Sequence, residues 1–208
     1  MKGTDREAIM KEALEVLRNG GVIVYPTDTI WGIGCDATNP LAVKKVYEIK
    51  KRQDSKALVL LAASLDMVAR YVKDIPPIAV DLVEVNDKPM TLIYPQGICG
   101  KAPEAGAEPV IDRHFLAWNV VAEDGSVAIR IPMQEFCRNL SYKLGRPVVS
   151  TSANISGEPA PKSYKDISKE ILDAADYVVP PVMDKESTGA ASQIIKVELD
   201  GEVKIIRA

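Results

Sequence analysis

The sequence has little with which to build the commoner kinds of site. It holds a single histidine, His114, with no histidine or cysteine partner nearby. That argues against a histidine-based triad and against a metal centre. Its three cysteines, Cys35, Cys99 and Cys137, are odd in number and follow no metal-ligand spacing. Reduced thiols in a cytoplasmic protein are the simplest reading. Neither GxxxxGK(S/T) nor GxGxxG occurs, so neither usual nucleotide loop is present. No apolar run is long enough to span a bilayer and the N-terminus has no signal core, so a soluble protein without a membrane partner is expected. Aromatic residues make up 5% of the chain, the formal charge is -3 and the pI is near 5.4. That balance weighs against a protein whose main task is to coat nucleic acid.

What the chain does have is apolar material. Of its 208 residues 47% are hydrophobic, enough for one large core, and no internal repeat or domain boundary interrupts it. A single domain over 1–208 is expected. The chain is organised around GGVIVYPTDTIWGIGCD, residues 20–36. An apolar run, Val22 to Tyr25, stops at Pro26, and a polar turn, Thr27-Asp28-Thr29, leads to Trp31, Gly32 and Gly34. A short apolar run bounded by Pro and Gly reads as a buried strand. The turn would set hydroxyls and a carboxylate at its end, beside backbone thinned by glycine.

Around it, helices are expected over 5–18, from Asn39-Pro40 to Arg52, from Ser64 to about Val72, over Ile78–Val85, Met133–Leu144 and Ile167–Ala174. Strands are expected over Ala57–Ala62, Lys88–Pro95, Val127–Pro132, Val148–Val149 and Tyr177–Val179. Asp200-Gly201 is a favoured hairpin turn between Ser192–Leu199 and Glu202–Ile206. Residues 96–119, rich in Gly, Pro and Ala, read as loop. Interleaved strands and helices with an antiparallel end predict an α/β domain with a twisted mixed parallel and antiparallel sheet and flanking helices.

Four polar groups fall beside strand ends: Thr27-Asp28-Thr29; Lys50, Arg52 and Lys56; Arg130; and Ser150-Thr151-Ser152-Ala153-Asn154. Arginine forks suit carboxylate or phosphate, lysine adds a point charge, and short hydroxyls and amides can follow a phosphate chain. Together they describe an anion site. Each also has a plainer reading. The Thr-Asp-Thr run could be a turn with local caps, Lys50 to Arg52 a complement to a helix dipole, Arg130 a structural ion pair, and the Ser-Thr-Ser-Ala-Asn run a cap. Trp31 fits packing better than base stacking.

The segments VIVYPTDTIWGIGCDA, IKKR, KPMTLIYP, VAIRIP and VVSTSANISGEPA resemble the YrdC-like threonylcarbamoyl-AMP synthases over nearly the whole chain, in their short single-domain form. The resemblance implies a YrdC-like fold and an ATP-using nucleotidyltransferase. Such an enzyme makes threonylcarbamoyl-AMP and pyrophosphate from L-threonine, bicarbonate or CO2, and ATP, for the threonylcarbamoyladenosine modification of tRNA. It implies Lys50 and Arg52 as catalytic, and Thr29, Arg52, Arg130, Ser150 and Ser192 as threonine contacts. Nucleotide contacts would be Lys50, Lys56, Thr91, Ser152, Asn154 and Arg207. No protein metal site is implied, but Mg2+ is expected with ATP, along with tRNA-modification partner proteins. The chain departs from the family pattern at Trp31, Gln53, Ala57, Leu61 and Gln193. Competing readings are a double-stranded RNA-binding module, or a carbamoyl-transfer or nucleotide-hydrolysing relative of the same fold.

Overall fold

The strand Ile23–Tyr25 (β1) shows in three residues how the molecule is layered. Ile23 and Tyr25 face one apolar cluster and Val24 the other, because successive side chains of a strand point to opposite faces. The computed structural model describes residues 3–51, 58–185 and 187–208. The further strands are Gly32–Gly34 (β2), Val59–Leu61 (β3), Met90–Tyr94 (β4), Val127–Arg130 (β5), Val148–Ser152 (β6), Tyr177–Val178 (β7), Gln193–Val197 (β8) and Val203–Arg207 (β9). Among the described residues these nine strands form one sheet in the order β7-β1-β2-β6-β3-β5-β4-β8-β9. Pairs β1/β7, β3/β5 and β4/β8 are parallel and the other five antiparallel. The mixed sheet is the architecture expected.

Helices cover both faces. Gly3–Arg18 (α1) and Glu135–Leu144 (α5) bury Leu14, Leu17, Phe136 and Leu140 against Ile23, Tyr25, Leu61 and Val148. Pro40–Ile49 (α2), Leu65–Val68 (α3) and Pro77–Val85 (α4) lie over the second cluster, with Val43, Val46 and Val68 meeting Val24, Leu60 and Val149. A last helix, Lys169–Ala174 (α6), adds Ile171 there. The caps follow the sequence signals. Asn39 Oδ1 accepts from the Leu41 and Ala42 amides at 3.0 and 3.2 Å ahead of Pro40, a cap of the order of 1 kcal/mol. Gly145 ends α5 at φ 81°, a left-handed conformation that favours glycine.

Several elements differ from expectation. The strand begun at Val148 runs on through Ser152, and α2 ends at Ile49. The helix begun at Ser64 stops at Val68. The glycines after Trp31 are themselves a strand, β2, wedged between β1 and β6. A Cβ on Gly34 would stand 1.7 Å from the Val149 carbonyl oxygen, so only glycine lets these strands approach.

One sheet face positions the site. Leu61 and Val148 are a registered pair beneath α1 and α5; two residues along, Val59 pairs with Ser150. There the helices no longer cover the sheet and its side chains turn polar.

Candidate functional site

The uncovered part of that face floors a cavity of about 310 Å³. Gly32, Val59, Arg130, Ser150 and Ser152 come from β2, β3, β5 and β6, and Ile194 and Arg207 from β8 and β9. The turn after β1 gives Thr27, Thr29 and Ile30, and the approach to β8 gives Ala191 and Ser192.

The turn is held by its own hydroxyls. Thr27 Oγ1 lies 2.8 Å from Thr29 Oγ1, accepts from the Thr29 amide at 3.1 Å and donates to the Ile30 carbonyl at 2.7 Å. The plainer reading, a locally capped turn, therefore holds, and the same bonds aim Thr29 into the cavity.

Arg130 also satisfies both of its readings. Its Nη1 donates to Thr29 Oγ1 at 3.0 Å and stands 2.8 Å from Asp28 Oδ1, in a pair only 4% and 5% exposed. The ionic contact lacks hydrogen-bond alignment, and among the described residues Asp28 Oδ1 and Arg130 Nε have no hydrogen-bond partner. Asp28 Oδ2 accepts from the Met133 amide at 3.0 Å, tying the turn to the start of α5. Across the sheet, Thr91 is Arg130's registered neighbour on β4. Its hydroxyl does not line the cavity but lies 2.8 Å from Ser192 Oγ, which does. Arg207 Nε donates to the Ser192 carbonyl at 2.9 Å. Burial, and after it the nearby Arg130 guanidinium, pushes the Arg207 pKa down, though an arginine remains charged. Among the described residues no carboxylate lines the cavity, which two guanidiniums face. Its field favours anions.

Lys50 lies elsewhere. It is buried, does not line the cavity, and donates through Nζ to the carbonyls of Ser152 and of Asn154, the latter at 2.7 Å. It also lies 3.4 Å from Asn154 Oδ1. Asn154 in turn donates from Nδ2 to the Ile155 and Glu158 carbonyls at 3.1 and 2.6 Å. These two residues shape the loop after β6 and stand outside the cavity lining. Arg52, Lys56, Gln53 and Ala57 lie outside the described residues. Leu61 sits in the core beneath α5, and Gln193 is exposed. Trp31 is fully buried, edge-on to Tyr164, with Nε1 donating to Asp184 Oδ2 at 2.6 Å.

Thr29, Arg130, Ser150, Ser152, Ser192 and Arg207 are thus brought together, with Thr91 one bond behind. The sequence reading named the Thr-Asp-Thr run but not Asp28 as Arg130's partner; a carboxylate between two hydroxyls was the available signal. Thr151, marked only as part of the Ser-Thr-Ser run, also lines the cavity, and Ser187 carried no signal at all. The Ser187 hydroxyl donates to the Thr29 carbonyl at 2.7 Å from 158 residues away, and no spacing could show that.

Comparison with known proteins points one way. The Sua5/YciO/YrdC family model, described as telomere recombination, matches residues 15–208. A threonylcarbamoyl-AMP synthase from Xanthomonas euvesicatoria is 34% identical over 188 residues, 88% of this chain and 89% of its own. One from Stenotrophomonas maltophilia is 30% identical over 200 residues, 95% of this chain and 98% of its own. A solved structure of Pyrococcus abyssi Sua5 complexed with L-threonine superposes with a TM-score of 0.74 at 26% identity. That match covers 92% of this chain and 51% of the Sua5 chain, so this chain spans about half of it.

Proposed function

Because the chain belongs to the Sua5/YciO/YrdC family, we propose that the cavity above β2, β5 and β6 joins L-threonine, a one-carbon unit and ATP. The chain is a threonylcarbamoyl-AMP synthase, an ATP-using enzyme of nucleotidyltransferase type that serves tRNA modification. The observation that carries the site assignment is the meeting of Thr29, Arg130, Ser150, Ser192 and Arg207 around one cavity that no carboxylate lines among the described residues.

The chemistry explains why such a wall is needed. The neutral amine of threonine takes up CO2, gives a proton to water and becomes a carbamate. A carbamate oxygen then attacks the α-phosphorus of ATP, and the bond to pyrophosphate breaks. Two anions must approach each other, so fixed cations that meet them without reorganising lower the barrier. In our reading Arg130 takes the threonine carboxylate and the Thr29 hydroxyl orients the amino acid. Arg207, with Ser150 and Ser152, faces the phosphates. Holding carbamate and phosphorus together can supply roughly 7–11 kcal/mol in favourable cases. No side-chain base is required, because a neutral amine reacts with CO2 directly. Arg52 and Lys56 would add charge along the phosphate chain, and Lys50 supports the site by holding the loop that follows Ser152.

Magnesium expected with the nucleotide finds no cage here. Among the described residues no three carboxylate, histidine or cysteine side chains form a metal cluster. Asp28 is engaged by Arg130 and the Met133 amide. In this reading the ion would be carried mainly by phosphate oxygens and water, as its chemistry allows. The named relatives favour this reading over an RNA-binding module. Partner proteins of the tRNA modification would take up the product, and direct RNA contact belongs to the same proposal. No described helix is long and apolar enough to cross a membrane. The test is pyrophosphate release from purified protein. It should require ATP, L-threonine and bicarbonate together; release without threonine would overturn the assignment.

A further inference from the structure

Thr29 is gripped at both of its oxygens. Its hydroxyl is held by Thr27 Oγ1 and Arg130 Nη1. Its carbonyl is held from the far end of the chain, by the Ser187 hydroxyl at 2.7 Å and the Gly189 amide at 2.8 Å. The Thr188 amide reaches the neighbouring Asp28 carbonyl at 3.3 Å, and Asp184 anchors the segment's start to the Trp31 indole at 2.6 Å. Gly189 sits at φ 68°, a left-handed conformation that turns the chain sharply. Three residues later it reaches Ser192, which with Ala191 lines the cavity and is fixed by Thr91 and Arg207. Ser187 itself lines no part of the cavity.

This segment therefore ties two walls together. One is the Thr27–Ile30 turn between β1 and β2; the other is the Ala191–Ser192 approach to β8, six places from β1 in strand order. We propose that Ser187 is a positioning residue that sets the distance between the Thr29 and Ser192 walls, and with it the fit of the amino-acid substrate. The inference rests on the threonine-binding reading above. The Ser187 bond is the side-chain part of the clamp, and the Gly189 amide is the backbone part that would remain without it. Removing the side-chain part lets the walls drift while Arg130 and Arg207 keep their charges. Binding should then suffer more than chemistry, and selectivity should suffer with it.

The test compares wild type, Ser187→Ala and Ser187→Thr. Losing one neutral hydrogen bond should raise KM for L-threonine about three- to tenfold. The preference for L-threonine over L-serine should fall similarly, kcat should stay within about threefold, and Ser187→Thr, which keeps a hydroxyl, should restore both. An unchanged KM and preference, or a loss confined to kcat, would overturn the proposal. Amide hydrogen exchange reads the clamp apart from catalysis. Exchange at Thr188 and Gly189 should be at least about tenfold faster in Ser187→Ala, and equal rates would overturn the proposal even if synthase activity is present. A wild type that makes no threonylcarbamoyl-AMP would instead sink the functional reading, while the exchange rates still decide the clamp.

Discussion

Replacing Arg130 by methionine separates the two things this residue does. The Arg130–Asp28 pair is 4% and 5% exposed and 2.8 Å apart. Removing one member of a buried pair leaves the other's charge uncompensated, at a cost of about 3–5 kcal/mol. In Arg130→Met the Asp28 carboxylate would keep, among the described residues, only the Met133 amide as a partner. For a chain of this size each kcal/mol moves the melting temperature by about 2–4 °C, so a fall of about 6–20 °C is expected. Adding Asp28→Asn removes the stranded charge, and the double variant should recover more than half of that loss. It should not recover turnover, because the guanidinium that meets the threonine carboxylate is still missing. The assay is differential scanning calorimetry beside pyrophosphate release, on both single variants and the double. A single Arg130→Met variant that melts with wild type would refute the buried-pair reasoning. A double variant with wild-type turnover would refute the anion-binding role of Arg130.

Other variants probe the framework and the wall. Gly34→Ala should unfold the protein or cost more than about 3 kcal/mol in chemical denaturation, since its Cβ would meet the Val149 carbonyl at 1.7 Å. Gly32→Ala meets Ser150 Oγ only at 3.3 Å and Thr27 Cγ2 at 3.4 Å; it should fold but raise the threonine KM by narrowing the floor, as steady-state kinetics would show. Lys50→Met strands the Ser152 and Asn154 carbonyls. Each orphaned group costs about 1–3 kcal/mol, so both the denaturation midpoint and turnover should fall. Arg207→Ala, which gives up the bond to the Ser192 carbonyl on an edge strand, should cost about 1 kcal/mol of stability. It should raise the ATP KM severalfold, with a weaker dependence of that KM on salt than in wild type.

The layered α/β plan was legible because its signals are local. Asn39-Pro40 caps α2, Gly145 closes α5 and Asp200-Gly201 turns the last hairpin. The strand Gly32–Gly34 was not, because two glycines in three residues carry no strand propensity. It exists through its pairing to β1 and β6. Of the site, the turn hydroxyls, Arg130 and the serines of β6 could be read as an anion site from residue type and position. Whether Arg130 was structural or ligand-facing could not be read, since that depends on Asp28 lying across the turn, and in the structure it pairs with Asp28 while facing the cavity. Lys50 belongs to a basic run that reads either as a phosphate site or as a complement to the helix dipole, and residue type alone does not choose between them. Here the loop after β6 folds over it and supplies backbone carbonyls. Ser187 left no local signal, because its partner is 158 residues away.

If this cavity makes a carbamate of threonine and joins it to AMP, the carbon of bicarbonate must end on the amino acid's nitrogen. Incubating the protein with carbon-labelled bicarbonate, L-threonine and ATP, then separating the nucleotides, tests it most directly. Label should appear in a threonine-containing AMP adduct, with one pyrophosphate released for each labelled product. Pyrophosphate or ADP formed with no label on threonine would contradict it.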